Sequence, residues 1–153
     1  MSRVGYLLNR TALEIRQRAQ ETLRPLDMIP PHLAVLSTLA AGGPQTQRDL
    51  GAAIRIDPTT MVWLIDHLEK KAWVRRGRHP VDRRAHLVEL TPAGNRLFQQ
   101  AAARLDALER EFLRPLSAGE REALVRLLGK LFQHVATRAI PPRFFSEHRK
   151  AKS

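Results

Sequence analysis

Between Lys70 and Arg84 the sequence sets seven Lys/Arg residues against one acidic residue, Asp82. The chemistry open to such a run is neutralisation of a polyanion, because each cation brought to a phosphate releases a condensed counterion. The run also has a shape. Trp73-Val74-Arg75-Arg76 reads as the start of a strand. Gly77 to Arg84 (GRHPVDRR) holds the Gly, Pro and Asp of a turn. His86, Val88 and Leu90 then alternate with Leu87 and Glu89 as a returning strand. A charged hairpin is therefore expected, with Arg75, Arg76 and Arg78 as phosphate contacts rather than base readers.

The residues before the hairpin have to position it. Asp57 is a good N-cap and Pro58 suits the first helical position. Met61, Leu64, Ile65 and Leu68 recur at helical spacing and make one apolar face. The opposite face carries Thr59, Val62, Trp63, Asp66 and Lys70. One helix earlier, Thr46 and Asp49 have capping-box spacing, with Asp in place of the usual Glu. Leu50, Ala53 and Ile54 are the expected buried side of that helix. Two short helices separated by Arg55-Ile56-Asp57 predict a helix-turn-helix, with the hairpin as a wing. In that motif the second helix enters the major groove with its N-terminal part near the bases. Thr59, Thr60, Val62 and Trp63 are then the groove-facing candidates, and Lys70 is better placed for phosphate. A hydroxyl can contact several bases, and Val can touch a thymine methyl. Trp63 cannot make a bidentate contact to guanine, and packing against the wing or a neighbouring helix is its rival role. Asp66 reads as structural, since a carboxylate facing phosphate would repel it.

Asp82–Thr91 (DRRAHLVELT) matches a D-x-R-x-x-x-V-x-L-T pattern, and in it the chain resembles the MarR family of winged helix-turn-helix regulators. Thr46–Arg76 is similar to that family's helix-turn-helix and first wing strand. The likeness in sequence detail spans about 45 residues, and the flanking helices agree in pattern only. The resemblance implies that Asp82 and Arg84 are the D-x-R pair, the Asp holding the turn and orienting an arginine into the minor groove, with Arg83 beside them. Narrow minor grooves attract Arg through their negative potential. The rival is a solvated surface pair. The family usually has Gly where this chain has Ala72, and Ala disfavours a left-handed helix cap. A differently tightened helix end is therefore expected.

Composition narrows the partners. The chain has 153 residues, enough for one domain with its own core. Its net charge of +11 favours acidic partners. Eight aromatic residues are few for a base-stacking RNA platform. Concentration of the cations on a hairpin, rather than on one helix face, argues against a membrane-surface role. With no cysteine there is no disulfide framework or thiolate metal site. The chain has neither a long apolar run nor a secretory signal, which points to the cytoplasm. Six scattered histidines form no H-x-x-x-H or H-x-x-E-H pair, so no metal is assigned. No nucleophile motif, phosphate loop or catalytic carboxylate arrangement is present, so neither an enzyme nor a cofactor is expected.

The expected architecture is mainly α with a small β-hairpin wing: a winged helix-turn-helix at about 30–91, flanked by N- and C-terminal dimerisation helices. A first helix over 3–24 carries the stripe Leu8, Ala12, Ile15, Ala19 and Leu23. A second starts at Pro30-Pro31 with Leu33, Leu36, Leu39 and Ala40 inside. Helix five runs from Pro92 to about Leu113. Helix six opens at the Ser117–Glu120 capping box, carries Leu124, Leu127, Leu128, Leu131 and Val135, and closes at Pro141-Pro142. A basic tail, 141–153, follows. These helices hold more apolar stripe than one small domain can cover, and an isologous dimer is the simple solution.

The family resemblance implies the same dimer on a pseudo-palindromic double-stranded operator. It adds a pocket for a small aromatic or anionic ligand, with Arg16 and His32 as candidate lining. The resulting reading is a ligand-released transcriptional repressor. Its rivals are a non-sensing architectural DNA-binding protein and an accessory subunit that uses the winged fold for protein contact.

Overall fold

A computed structural model of the chain describes residues 3–78 and 86–136. The turn of the wing, with Asp82, Arg83 and Arg84, lies outside the described residues, as do the expected end of helix six and the basic tail. The order of elements is α1 (Arg3–Leu23), a 3-10 turn (Arg24–Leu26), α2 (Pro30–Gly42), β1 (Gln45–Thr46), α3 (Gln47–Ile54), α4 (Pro58–Lys70), β2 (Val74–Arg78), β3 (His86–Leu90), α5 (Pro92–Phe112) and α6 (Ala118–Ala136). They fall into two compact units, one reaching to Phe112 and one beginning at Leu113.

The core of the first unit lies where α2, α3 and α4 meet the sheet. Met61, Leu64, Ile65 and Leu68, the apolar face expected of α4, are all buried there. Val35, Leu36 and Leu39 of α2, Leu50 of α3, Val74 and Val88 of the hairpin and Ala101 of α5 complete it. Two details of the expected faces shift. In α2 the inner positions are His32, Val35, Leu36 and Leu39, and Ala40 is exposed. In α3, Gly51 is buried and Ala53 exposed. The second shift follows from the turn: Ile56 N–H donates to Gly51 O at 3.0 Å, which draws the returning chain over that position.

Caps fix where the two motif helices begin. Asp49 N–H donates to Thr46 Oγ1 at 3.1 Å, and the Thr46 hydroxyl donates to Asp49 Oδ2 at 2.7 Å. The shorter Asp side chain thus takes the hydroxyl in this variant of the capping box. Arg55 closes α3 in the left-handed conformation, φ 55°. Asp57 then caps α4, accepting from Thr60 N–H at 3.0 Å.

The sheet has three antiparallel strands in the order β1-β3-β2. β2 pairs with β3 from Val74↔Leu90 to Arg78↔His86. The hairpin expected from the alternation is therefore present, one residue later at Trp73. The short strand β1, pairing Gln45↔Val88 and Thr46↔Leu87, was not expected. It ties the start of the helix-turn-helix to the wing.

Ala72 does take the left-handed conformation, φ 55°, so the helix end is not tightened differently. Ala72 N–H bonds Glu69 O at 2.9 Å and Trp73 N–H bonds Leu68 O at 3.0 Å, a Schellman-type end. A Cβ in that conformation costs about 1–2 kcal/mol, partly offset by the greater unfolded-state freedom of Gly. Ala72→Gly is therefore expected to raise stability by about 0.5–1 kcal/mol and the melting temperature by a few degrees. A lower melting temperature would mean that the methyl group packs usefully.

Of the helices expected to make a dimer, α5 packs Leu97, Ala101 and Leu105 on the core, while the N-terminal part of α1 and the stripe of α6 stay open. In α1 only Leu23 is buried, while Val4, Leu7 and Leu8 stand 64%, 52% and 43% exposed. In the second unit, Ser117 and Glu120 form the expected capping box: Ser117 N–H donates to Glu120 Oε2 at 2.8 Å, and Glu120 N–H to Ser117 Oγ at 3.4 Å. Along α6, Leu127, Leu128, Leu131 and Val135 of the expected stripe are exposed.

Candidate nucleic-acid interface

The outward face of α4 is free of core duties. Thr59, Val62, Trp63, Asp66 and Lys70 are all exposed, as helical spacing opposite the buried face requires. Thr60 sits half-buried at the edge of this face. Its hydroxyl donates to Asp57 Oδ2 at 2.6 Å, so it serves the cap. That bond, with the Thr60 N–H bond, holds the Asp57 carboxyl below its ordinary value. Lys70 lies in the last turn, away from the helix N-terminus.

The wing strand next to α4 divides its arginines between two tasks. Arg75 is well exposed and reaches Glu89 across the hairpin at 2.7 Å, leaving its guanidinium at the surface. Arg78 is also exposed, at the end of β2. Arg76, also expected to contact phosphate, is bound to α4. Its guanidinium bonds Asp66 at 2.5 Å and Glu69, and its backbone N–H donates to Glu69 Oε1 at 3.0 Å. This clasp fixes the angle between wing and helix, and it neutralises two carboxylates beside a surface suited to phosphate. Asp66 is thereby structural, as its charge suggested.

Trp63 belongs to a column of rings that joins the surface to the core. It stacks on His67, with centroids 5.4 Å apart and planes 15° from parallel. His67 stacks in turn on His32 at 5.0 Å, and His32 meets Trp73 edge-on at 5.9 Å. Lys71 lies over Trp73 at 4.8 Å and pairs with Asp27. Trp63 is nevertheless 54% exposed: one face packs on His67 of its own helix, rather than on the wing or a neighbouring helix, and the rest stays open.

His32, a candidate for the ligand pocket, is 2% exposed at the root of this column. Its Nδ1 accepts from Ile29 N–H at 3.3 Å, so a neutral ring must carry its proton on Nε2. That atom has no hydrogen-bond partner. Arg16 is exposed on α1, so the two candidates occupy unlike environments.

Burial, with His67 and Lys71 nearby, pushes the His32 pKa from 6.5 down to about 4. Above pH 6.5 both folded and unfolded chains carry a neutral ring. As pH falls from 6.5 toward 4 the unfolded chain takes up a proton that the folded chain refuses, so stability is lost across that window. At about 1.4 kcal/mol per unit the loss is on the order of 3 kcal/mol. The melting temperature is therefore expected to drop between pH 7 and 4.5, and His32→Leu should flatten the slope. An unchanged slope would mean that other groups carry the acid sensitivity.

Among the described residues no group of three or more His, Asp or Glu could hold a metal ion, and no helix is long and apolar enough to cross a membrane.

Comparison with known proteins agrees with this geometry. Residues 29–86 match the model of the MarR family. An uncharacterised HTH-type transcriptional regulator of Bacillus subtilis, YwoH, is 28% identical over 126 residues, covering 82% of this chain and 91% of that protein. Among solved structures, a mutant MarR of E. coli complexed with operator DNA superposes with a TM-score of 0.73 at 28% identity, over 84% of this chain and 92% of the other. BpsR of Bordetella bronchiseptica, whose DNA binding is regulated by 6-hydroxynicotinic acid, gives a TM-score of 0.72 at 28% identity, over 85% and 98%.

Proposed function

We propose that the chain acts as a MarR-type winged helix-turn-helix transcriptional regulator: a homodimeric repressor that binds a pseudo-palindromic operator and is released by a small ligand. The observation that carries the DNA-binding part is the outward face of α4. Five exposed side chains with no core role lie beside a strand that presents Arg75 and Arg78. Such a face suits a major groove, and the basic hairpin suits the phosphates beside it. The likeness to an operator-bound relative supports the same reading.

The dimer is supported by the open stripes. Exposed apolar side chains at helical spacing along α1, and separately along α6, are stable in water when a second copy covers them. Two copies of α4 would then meet successive major grooves with centres about 34 Å apart. In this reading Arg84, the partner of Asp82 in the D-x-R pair, enters the flanking minor groove, with Arg83 beside it. Arg84→Ala is expected to lower operator affinity at least several-fold while the dimer stays intact, and unchanged binding would remove the wing from the interface.

A ligand can release the operator only by binding one spacing of the two helices better than the other. The regulated binding of BpsR supports an aromatic, anionic compound as the class to test first. Arg16 and His32 remain the candidate contacts.

Selection of bound duplexes from a random pool, at near-physiological salt, tests the reading. A two-fold-symmetric motif with half-sites about ten base pairs apart is expected. Affinity governed by salt alone, with no enriched motif, would favour an architectural DNA-binding protein. Release of the selected duplex by an aromatic acid would support ligand control, and indifference to a broad panel of such acids would favour a non-sensing regulator.

A further inference from the structure

We propose that α4 reads thymine: Val62 and Trp63 together form an apolar contact for thymine C5-methyl groups in the major groove. The inference rests on the DNA-binding reading above and goes beyond it by naming the base chemistry.

The residues of α4 limit what it can recognise. Its sequence, PTTMVWLIDHLEK, contains no Arg, Asn or Gln. With Lys, those are the side chains that make bidentate contacts to the edges of guanine and adenine, and the one Lys of α4, Lys70, lies in the last turn, away from the N-terminal part that reaches the bases. Within its first two and a half turns the outward positions are Thr59, Val62, Trp63 and Asp66. Asp66 is bound by Arg76, and the neighbouring Thr60 hydroxyl is used by Asp57. What remains near the N-terminus is one hydroxyl and two apolar side chains, 45% and 54% exposed. Among the four bases only thymine offers an apolar group to the major groove.

The column of rings suits this role. An exposed indole ordinarily samples several rotamers, and fixing one on binding costs affinity. Here the stack on His67, which rests on the buried His32 ring, holds the indole before DNA arrives. His67 is accordingly a positioning residue, acting through Trp63.

The test uses the duplex recovered by selection, with deoxyuridine replacing thymine one position at a time. Uracil keeps every hydrogen-bonding edge of thymine and lacks only the methyl group. About a fourfold loss is expected at one or two positions in each half-site, the value of one buried methyl. Trp63→Gln should bind more weakly and lose the sensitivity at its position. His67→Ala should bind more weakly and keep it. Tight, sequence-specific binding that ignores uracil at every half-site position would overturn this inference and leave the DNA-binding reading standing. Failure to select any motif would overturn both.

Discussion

Arg76→Ala is expected to weaken operator binding about tenfold in a protein that still folds. The side chain clasps Asp66 and Glu69 of α4 while its own backbone N–H bonds Glu69. Removing it does two things. The wing loses its tie to the recognition helix, so the two can no longer approach adjacent grooves at a fixed angle. Two carboxylates are also left without their cation on the surface that would face phosphate. Exposed ion pairs are worth about 0–1 kcal/mol each, and Arg76 holds two of them, so their loss together with the wing–helix tie amounts to about 1.4 kcal/mol, a factor of ten. The clasp reading adds a second expectation. In the Arg76→Ala background, Asp66→Asn with Glu69→Gln should recover part of the lost affinity by removing the repulsion. If Arg76 acts instead as a plain phosphate contact, the neutralising changes give no recovery, and the salt dependence falls by about one counterion.

Gly94→Ala is expected to be the most damaging small change to the fold. A Cβ at Gly94 would lie 1.9 Å from the Trp73 carbonyl oxygen and 2.8 Å from its carbon. That carbonyl cannot easily move. Thr91 N–H donates to it at 3.1 Å, while the Thr91 hydroxyl accepts from Gly94 N–H at 2.9 Å to cap α5. Gly94 is thus needed for close approach of two backbones where α5 leaves the wing. Separating them breaks the cap and lifts α5 from the start of β2. The expected loss is on the order of 3 kcal/mol or more, about 10 °C in melting temperature for a chain of this size. Gly119→Ala is the control: nothing lies within 4 Å of the Cβ it would add. A Gly94→Ala protein melting within two degrees of wild type would contradict the close approach.

The elements that position the site were legible because they follow period and capping. The buried face of α4, the hairpin and the Ser117 box all stand where spacing and cap chemistry put them. Legibility ended where a role depends on residues far apart in the chain. Strand β1 is two polar residues, too short to show alternation, and exists because β3 lies beside it. Nothing local marks His32 as the root of a ring column, since its partners His67 and Trp73 arrive only with the fold. Arg76 looked like its basic neighbours, and only the placement of Asp66 and Glu69 gives it a different task. Ala72 shows the opposite limit: residue type argued against a left-handed cap, and the tertiary fit of α4 to the hairpin imposed one.

The claim that the outward face of α4 enters the major groove can be tested directly because the chain contains no cysteine. A single cysteine introduced as Thr59→Cys would carry an iron–EDTA cleaving group. On the selected duplex, Thr59→Cys should cut in two clusters, one per half-site and about one helical turn apart. Even cleavage along the duplex, or none at all, would contradict the assignment of α4 as the reading helix.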